Sequence, residues 1–185
     1  MSGEILQEAE QRMQAAVEAL RRDLVGIRAG RATPALLDKV RVEVYGTVMP
    51  LNQVASITVP EPRLILVQPW DQSSLADVER AILKSDLGLT PNNDGKVIRL
   101  TLPQLTQERR AELARQVKKM GEDARVAVRN ARRAANDDLK SAEKDGALSK
   151  DEAHRLMDQV QKLTDRYIDE IDAVVAEKEK DIMEG

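Results

Sequence analysis

Four arginines stand at a spacing that lets them act together. Arg125, Arg129, Arg132 and Arg133 fall at i, i+4, i+7 and i+8, which puts them on one side of a helix. Guanidinium groups present forked donors that match phosphate or carboxylate oxygens, so the chemistry on offer is anion recognition. Asn130 lies inside the same run and joins the candidate set. From Ala124 to Ala135 there is no acidic residue, whereas a merely solvated helix face alternates sign. Two readings stay open: a surface for RNA phosphates or an acidic partner, and an exposed face whose arginines pair with nearby Asp and Glu. Arg28 and Arg31 carry the same choice, since cations are also favourable at a helix C-terminus. Arg109 and Arg110 have Glu108 and Glu112 within reach for ordinary helix pairs.

Covalent catalysis finds little support. The chain has no Cys and one His, which removes disulfides, thiolate metal sites and cysteine nucleophiles. His154 sits among charged residues near the start of a helix and reads as exposed. No two glycines are spaced G-x-G and no G-x-x-x-x-G-K-[ST] occurs, so no phosphate-cradling loop is present. Asp137-Asp138 and Glu170-Asp172 read as solvated or capping charge, and Trp70 as a packing residue at a strand end. The expectation is no enzyme, no metal and no cofactor of the chain's own.

Long helices must position the arginines. Across 185 residues, 33% are charged, 42% hydrophobic and only 2% aromatic, with no Phe. An aliphatic, highly charged chain of this kind has the composition of long helices. The net charge of −3 hides a segregation. Arg109 to Arg133 holds nine basic and three acidic residues, and 134–185 holds eight basic and fifteen acidic. The longest apolar runs are four residues, where a membrane span needs about 20. With a charged, periodic N-terminus and no signal pattern, a soluble cytoplasmic protein is expected, and a monomer.

The periodicity predicts three such helices. Leu6, Ala9, Met13, Ala16, Leu20, Leu24 and Ile27 make one stripe over 4–28, with Gly30 and Pro34 to end it. Leu113, Val117, Met120, Ala124, Val128, Ala131, Ala135, Leu139 and Ala142 make a second over 105–145, where Gly121 suggests a local bend and Asp145-Gly146 a stop. After a Ser149–Glu152 capping box, Ala153, Leu156, Val160, Leu163, Tyr167, Ile171 and Val174 repeat every seven residues, as in coiled coils. Between the first and second helices the chain is β-branched and punctuated. Strands are predicted at Val40–Val44, near Val48, at Ala55–Val59, Leu64–Gln68 and Val97–Thr101, with Pro60, Pro62 and Pro69 as bounds. A helix carries Leu75, Val78 and Ile82 behind a Ser74 cap, and Asn92 to Gly95 reads as a loop.

None of the three striped helices can stand alone in water, and packing them together buries all three stripes. The expected fold is therefore α+β with two domains. Residues 1–29 and 106–185 form a long antiparallel three-helix bundle, and 32–103 an inserted small α+β (β/α/β) domain. The two crossings, 30–34 (Gly30, Ala32, Thr33, Pro34) and 102–105 (Leu102, Pro103, Gln104, Leu105), contain proline and read as a hinge of restricted direction.

Five separated blocks carry a resemblance over essentially the whole chain. They are Ile27-Arg-Ala-Gly-Arg-Ala-Thr-Pro34, Tyr45-Gly-Thr47, Asp86-Leu-Gly-Leu-Thr-Pro91, Leu102-Pro-Gln-Leu-Thr-Gln-Glu-Arg-Arg110 and Ala124-Arg-Val-Ala-Val-Arg-Asn-Ala-Arg-Arg133. With them the chain resembles the ribosome recycling factor family; Ala29 and Gln72 depart from its usual Thr and Lys. The resemblance implies an L-shaped, two-domain translation factor. It would bind the post-termination ribosome and split it into subunits with elongation factor G, which hydrolyses the GTP. It also implies that the bundle anchors on large-subunit ribosomal RNA through Arg129, Arg132 and Arg133, with Arg28 and Arg31 on the same side, while the small domain is a lever pivoting at the crossings. A helical adaptor for an acidic protein, never touching RNA, is the competing expectation.

Overall fold

The computed structural model describes residues 2–184. Its elements run α1 (Ser2–Val25), β1 (Arg41–Val44), β2 (Thr47–Pro50), β3 (Ala55–Glu61), β4 (Leu64–Pro69), α2 (Leu75–Lys84), β5 (Pro91–Asn93), β6 (Ile98–Thr101), α3 (Gln107–Lys144) and α4 (Lys150–Glu184). Residues 2–28 and 107–184 form one compact unit and Ala29–Thr106 the other. The architecture is thus α+β, a helical unit interrupted by a small sheet-containing one.

In the helical unit α1 buries Ala9, Met13, Val17, Leu20 and Leu24. Val17 rather than Ala16 continues the stripe; Ala16 is only half-buried. The helix also stops before 28. The Gly26 and Ile27 amides turn back to the Asp23 and Leu24 carbonyls at 3.2 and 3.1 Å, the i→i−3 tightening that closes a helix end. Gly30 lies beyond that closure and does not cap the helix.

The 38 residues of α3 span about 57 Å. Gly121 does not interrupt it. Gly121 is buried on the inner face and takes the seam position that periodicity assigned to Met120, which is half-buried. The helix ends at Lys144, where Gly146 adopts φ +79° and the Ala147 amide reaches the Ala142 carbonyl at 2.8 Å. Ser149 Oγ then accepts the Glu152 amide at 3.1 Å and opens α4. On α4 the seam is Ala153, Leu156, Val160, Thr164, Tyr167, Ile171 and Val174. Thr164 replaces Leu163 because its hydroxyl donates to the Val160 carbonyl at 2.8 Å and is thereby satisfied while buried.

Cross-helix contacts give the direction of packing. Ala9 clusters with Ala135, Leu139, Leu156 and Val160, and Leu24 shares a groove with Val174 and Asp181. α1 therefore runs parallel to α4 and both run antiparallel to α3.

The small unit has two antiparallel sheets, β1-β2 and β3-β4-β6-β5. Tyr45 and Gly46 join β1 to β2 with φ of 52° and 76°, the left-handed pair that matches the twist of a two-residue hairpin. Val42, Val44, Ile65, Val67, Val78, Ile82, Ile98 and Leu100 form a single aliphatic core between sheet and α2.

Three local expectations fail here for identifiable reasons. Pro60 and Pro69 lie within β3 and β4 rather than bounding them. The β3–β4 register slips between Thr58 and Glu61, so Pro60 falls where no regular ladder bond is lost, and Pro69 pairs at the strand end with Ala55. Asn92 and Asn93 belong to β5, paired with Arg99 and Ile98, and the turn begins only at Asp94, whose carboxylate accepts the Lys96 and Val97 amides. Ser74 does stand at the N-cap of α2 but makes no capping bond: its hydroxyl donates to the Asp71 carbonyl at 2.6 Å, and it is Asp71 that caps, one 3-10 turn earlier, by accepting the Ser73 amide at 3.0 Å.

The expected hinge residues divide between anchored and exposed. The Ala32 amide donates to the Pro62 carbonyl at 2.7 Å and the Leu102 amide to the Arg63 carbonyl at 2.8 Å. Both side chains join the small-unit core, so these two are fixed parts of that unit. Thr33 and Pro34 lead into a 3-10 turn, Pro34–Leu37, and Pro103 and Gln104 are exposed. Gly30, with φ +76°, lies against Leu105: a Cβ there would sit 3.0 Å from Leu105 Cγ.

Candidate nucleic-acid interface

The arginine cluster lies on the middle of α3, and its position is set by the buried stripe beside it. Ala124, Val128, Ala131 and Ala135 are buried, which turns the neighbouring positions toward solvent by graded amounts. Arg125, Arg129 and Arg132 border the stripe and are half-buried, while Arg133 and Asn130 are exposed.

The four guanidiniums are not equivalent. Arg125 donates from Nε to Asp172 of α4 at 2.7 Å and from a terminal nitrogen to Glu122 at 3.4 Å. Its side chain is only 21% exposed and lies over Gly121. Arg125 is thus a clamp between α3 and α4. Arg129 has one pair, with Glu122 at 3.3 Å. Arg133 donates to the neutral Asn130 Oδ1 at 3.4 Å. Arg132 has no hydrogen bond or ion pair to the described residues. The acids missing between Ala124 and Ala135 come from one turn earlier and from the facing helix, and they neutralise only one end of the cluster. Arg132 and Arg133 keep their charge uncompensated on a rigid rod.

Arg28 and Arg31 are exposed, the first ending the helical unit and the second near the start of the small one. Arg109 pairs with Glu112 at 3.0 Å. The carboxylates read as solvated charge prove structural in two cases: Glu170 accepts Arg21 at 3.2 Å, and Asp172 holds Arg125. A third bond across helices, Tyr167 to Glu10 at 2.9 Å, ties α4 to α1. Burial, then the Glu10 carboxylate, push the Tyr167 phenol above its ordinary value.

His154 is exposed, 3.8 Å from Asp158, and no group of three His, Asp or Glu among the described residues could hold a metal ion. No helix of the described residues is long and apolar enough to cross a membrane. Trp70 is 67% exposed, more open than a packing residue at a strand end, and sequence reasoning missed the Tyr45–Asp71–Ser73 cluster beside it. The tyrosine hydroxyl hydrogen-bonds both the Asp71 carboxylate and Ser73 Oγ; the Tyr45-Gly46 turn was the one available signal.

Fold and site together define a two-domain α+β protein: a long three-helix bundle with a cationic stripe, carrying a small α+β domain inserted after its first helix. Residues 20–183 match the ribosome recycling factor family. A ribosome-recycling factor of Halalkalibacterium halodurans is 60% identical over the full length of both chains, and that of Symbiobacterium thermophilum 58%. The chain belongs to the ribosome recycling factor family. A solution structure of a ribosome recycling factor, 44% identical, superposes with a TM-score of 0.77 over 100% of this chain and 98% of that one. A second structure, 45% identical with a TM-score of 0.64 over 98% of each chain, is of the T. thermophilus ribosome recycling factor and the E. coli elongation factor G bound to the E. coli post-termination complex.

Proposed function

We propose that this protein binds the post-termination ribosome through the Arg129–Arg133 end of its α3 stripe, on large-subunit ribosomal RNA, and splits it into subunits together with elongation factor G. The observation that carries the reading is the uncompensated charge of Arg132 and Arg133, next to cluster arginines already paired, Arg125 with Asp172 and Glu122 and Arg129 with Glu122. Asn130, and Arg28 at the end of the helical unit, extend the same contact, and Arg31 of the small unit is a further RNA contact. Its family, and the relative bound with elongation factor G to a post-termination complex, support the assignment.

The division of labour follows from the chain's own chemistry. The protein works as a monomer in the cytoplasm and supplies no cofactor; GTP is hydrolysed by elongation factor G. The bundle contributes a stiff anchor and an electrostatic grip. The small domain transmits force, and the crossings at 30–34 and 102–105 let it move in restricted directions.

Light scattering of post-termination ribosomes tests the reading. Splitting is expected with the protein, elongation factor G and GTP together, and not when any one is left out. Cosedimentation at increasing salt should show loss of binding, since each phosphate contact contributes a slope of about −0.7 to −0.9 in simple nucleic acids. Arg132→Ala should weaken binding and flatten that slope. Binding indifferent to both salt and Arg132→Ala would instead make the helical face an adaptor for another protein. A variant with the crossings at 30–34 and 102–105 stiffened should still bind but no longer split, and normal splitting by it would remove the lever.

A further inference from the structure

A second concave surface lies in the small unit, far along the chain from the arginines of α3. It is a groove of about 490 Å3 between the β1–β2 hairpin and α2. One wall is the outward face of the hairpin, where Arg41, Glu43 and Tyr45 alternate with the buried Val42 and Val44. The other is one side of α2, carrying Arg80 and Lys84 at i and i+4.

Charge in this groove is largely uncommitted. Lys84 has no hydrogen bond or ion pair to the described residues, and neither does Glu43. Arg41 donates to the Asp38 carbonyl at 2.9 Å, which leaves its positive charge without a carboxylate. Arg80 has one exposed pair, with Asp77 at 3.4 Å.

Tyr45 is the second observation. It occupies φ 52°, where a bulky L-residue is strained and Asn or Gly is the ordinary choice. Strain of this kind at an exposed position points to use. The residue is 79% exposed, yet its hydroxyl is fixed by Asp71 and Ser73. The result is a flat aromatic face held still beside a groove in which three cations, Arg41, Arg80 and Lys84, outnumber two carboxylates, Glu43 and Asp77.

We propose that this groove binds single-stranded RNA, with a base stacked on Tyr45 and the flanking phosphates on Arg80, Lys84 and Arg41. Aromatic stacking beside a cationic track is how single strands are held without duplex geometry, and the groove's volume suits a nucleotide-sized ligand. Glu43 fits a nucleotide better than a bare phosphate: its free carboxylate accepts from a base amino group or a ribose 2′-hydroxyl. A protein-docking centre is depleted of charge, whereas these walls are mostly charged. This site is additional to the α3 surface and does not depend on it.

The test is a titration of the ¹⁵N-labelled full chain with the RNA hexamer C6, followed by amide shifts. Shifts are expected in 41–48 and 77–84, and they should persist in an Arg132→Ala–Arg133→Ala background. The exposed pair Arg80→Glu and Lys84→Glu, made together, should weaken C6 binding about tenfold or more, with the remaining spectrum reporting an intact fold. Shifts confined to α3, or undiminished binding by the double variant, would overturn the proposal. So would saturation by CMP at the same concentration as C6, which makes the groove a free-nucleotide site. Groove shifts with elongation factor G and none with C6 would transfer it to a protein partner and equally overturn it.

Discussion

Gly121 of α3 faces Val175 of α4 so closely that a Cβ on the glycine would lie 2.7 Å from Val175 Cγ2. The two helices meet backbone against side chain at this point, and the Arg125 guanidinium closes over it on its way to Asp172. Alanine is the better helix former by about 1 kcal/mol, but Val175 is β-branched and stiff in a helix, and overpacking costs about 1–3 kcal/mol. Gly121→Ala should therefore leave the protein no more stable, and destabilise it by up to about 2 kcal/mol, in urea unfolding. Val175→Ala costs stability of its own because the side chain is buried, but in that background the added Gly121→Ala should cost nothing further. A stabilised single variant would show that the helices separate freely here.

Arg125 and Arg132 should part company under substitution. Arg125 is half-buried with two carboxylates, and its removal leaves Asp172 and Glu122 without their partner. Discounted for solvent screening, the loss is about 1 kcal/mol, visible as a lower unfolding midpoint. Arg132→Ala should leave the midpoint within about 0.5 kcal/mol of the parent, while ribosome affinity falls. Parallel urea unfolding and cosedimentation separate the two, and an equal effect of both substitutions on stability would contradict the division.

Asp71 should report the lock on the hairpin. Hydrogen bonds from the Tyr45 hydroxyl, then from Ser73, hold its carboxyl below the ordinary 3.8. A depressed carboxyl contributes stability above its unfolded value and loses that contribution as pH falls through the folded one. The parent should thus be favoured over Tyr45→Phe above about pH 4, and the difference should vanish at lower pH. Carboxyl NMR titration of Tyr45→Phe should show Asp71 moving up toward 3.8. An unmoved Asp71 would mean that Ser73 alone sets it.

These comparisons show where the sequence was legible. Periodicity found all three long helices because each buries one stripe, and the uninterrupted arginine run located the cationic stretch. It misplaced Ala16, Met120 and Leu163 by one position each. At those points the buried neighbour is Val17, Gly121 or Thr164, and the choice depends on which helix faces it. Hydropathy cannot see a glycine used for closeness or a threonine that satisfies its own hydroxyl. The pairing of Arg125 with Asp172 crosses 47 positions in the chain, and the bonds of Tyr45 to Asp71 and Ser73 cross 26 and 28, so neither the division of the arginines nor the aromatic edge could be read locally.

Gly30 separates two effects that are usually confounded. Its φ of +76° disfavours any side chain, and Leu105 Cγ stands 3.0 Å from the place where a Cβ would go. The backbone penalty for alanine in the left-handed region is about 1–2 kcal/mol; crowding adds to it unless the leucine shifts. Gly30→Ala should destabilise the small unit by at least the backbone amount. Leu105→Ala added to it removes the crowding and leaves the backbone penalty, so the double variant should not recover the stability of Leu105→Ala alone. If the remaining cost is near zero, the chain at residue 30 has relaxed to negative φ, and the path of this crossing is not fixed by its glycine. If it stays near 1–2 kcal/mol, the glycine sets the direction in which the chain passes Leu105, and Gly30→Ala should slow ribosome splitting while binding is retained.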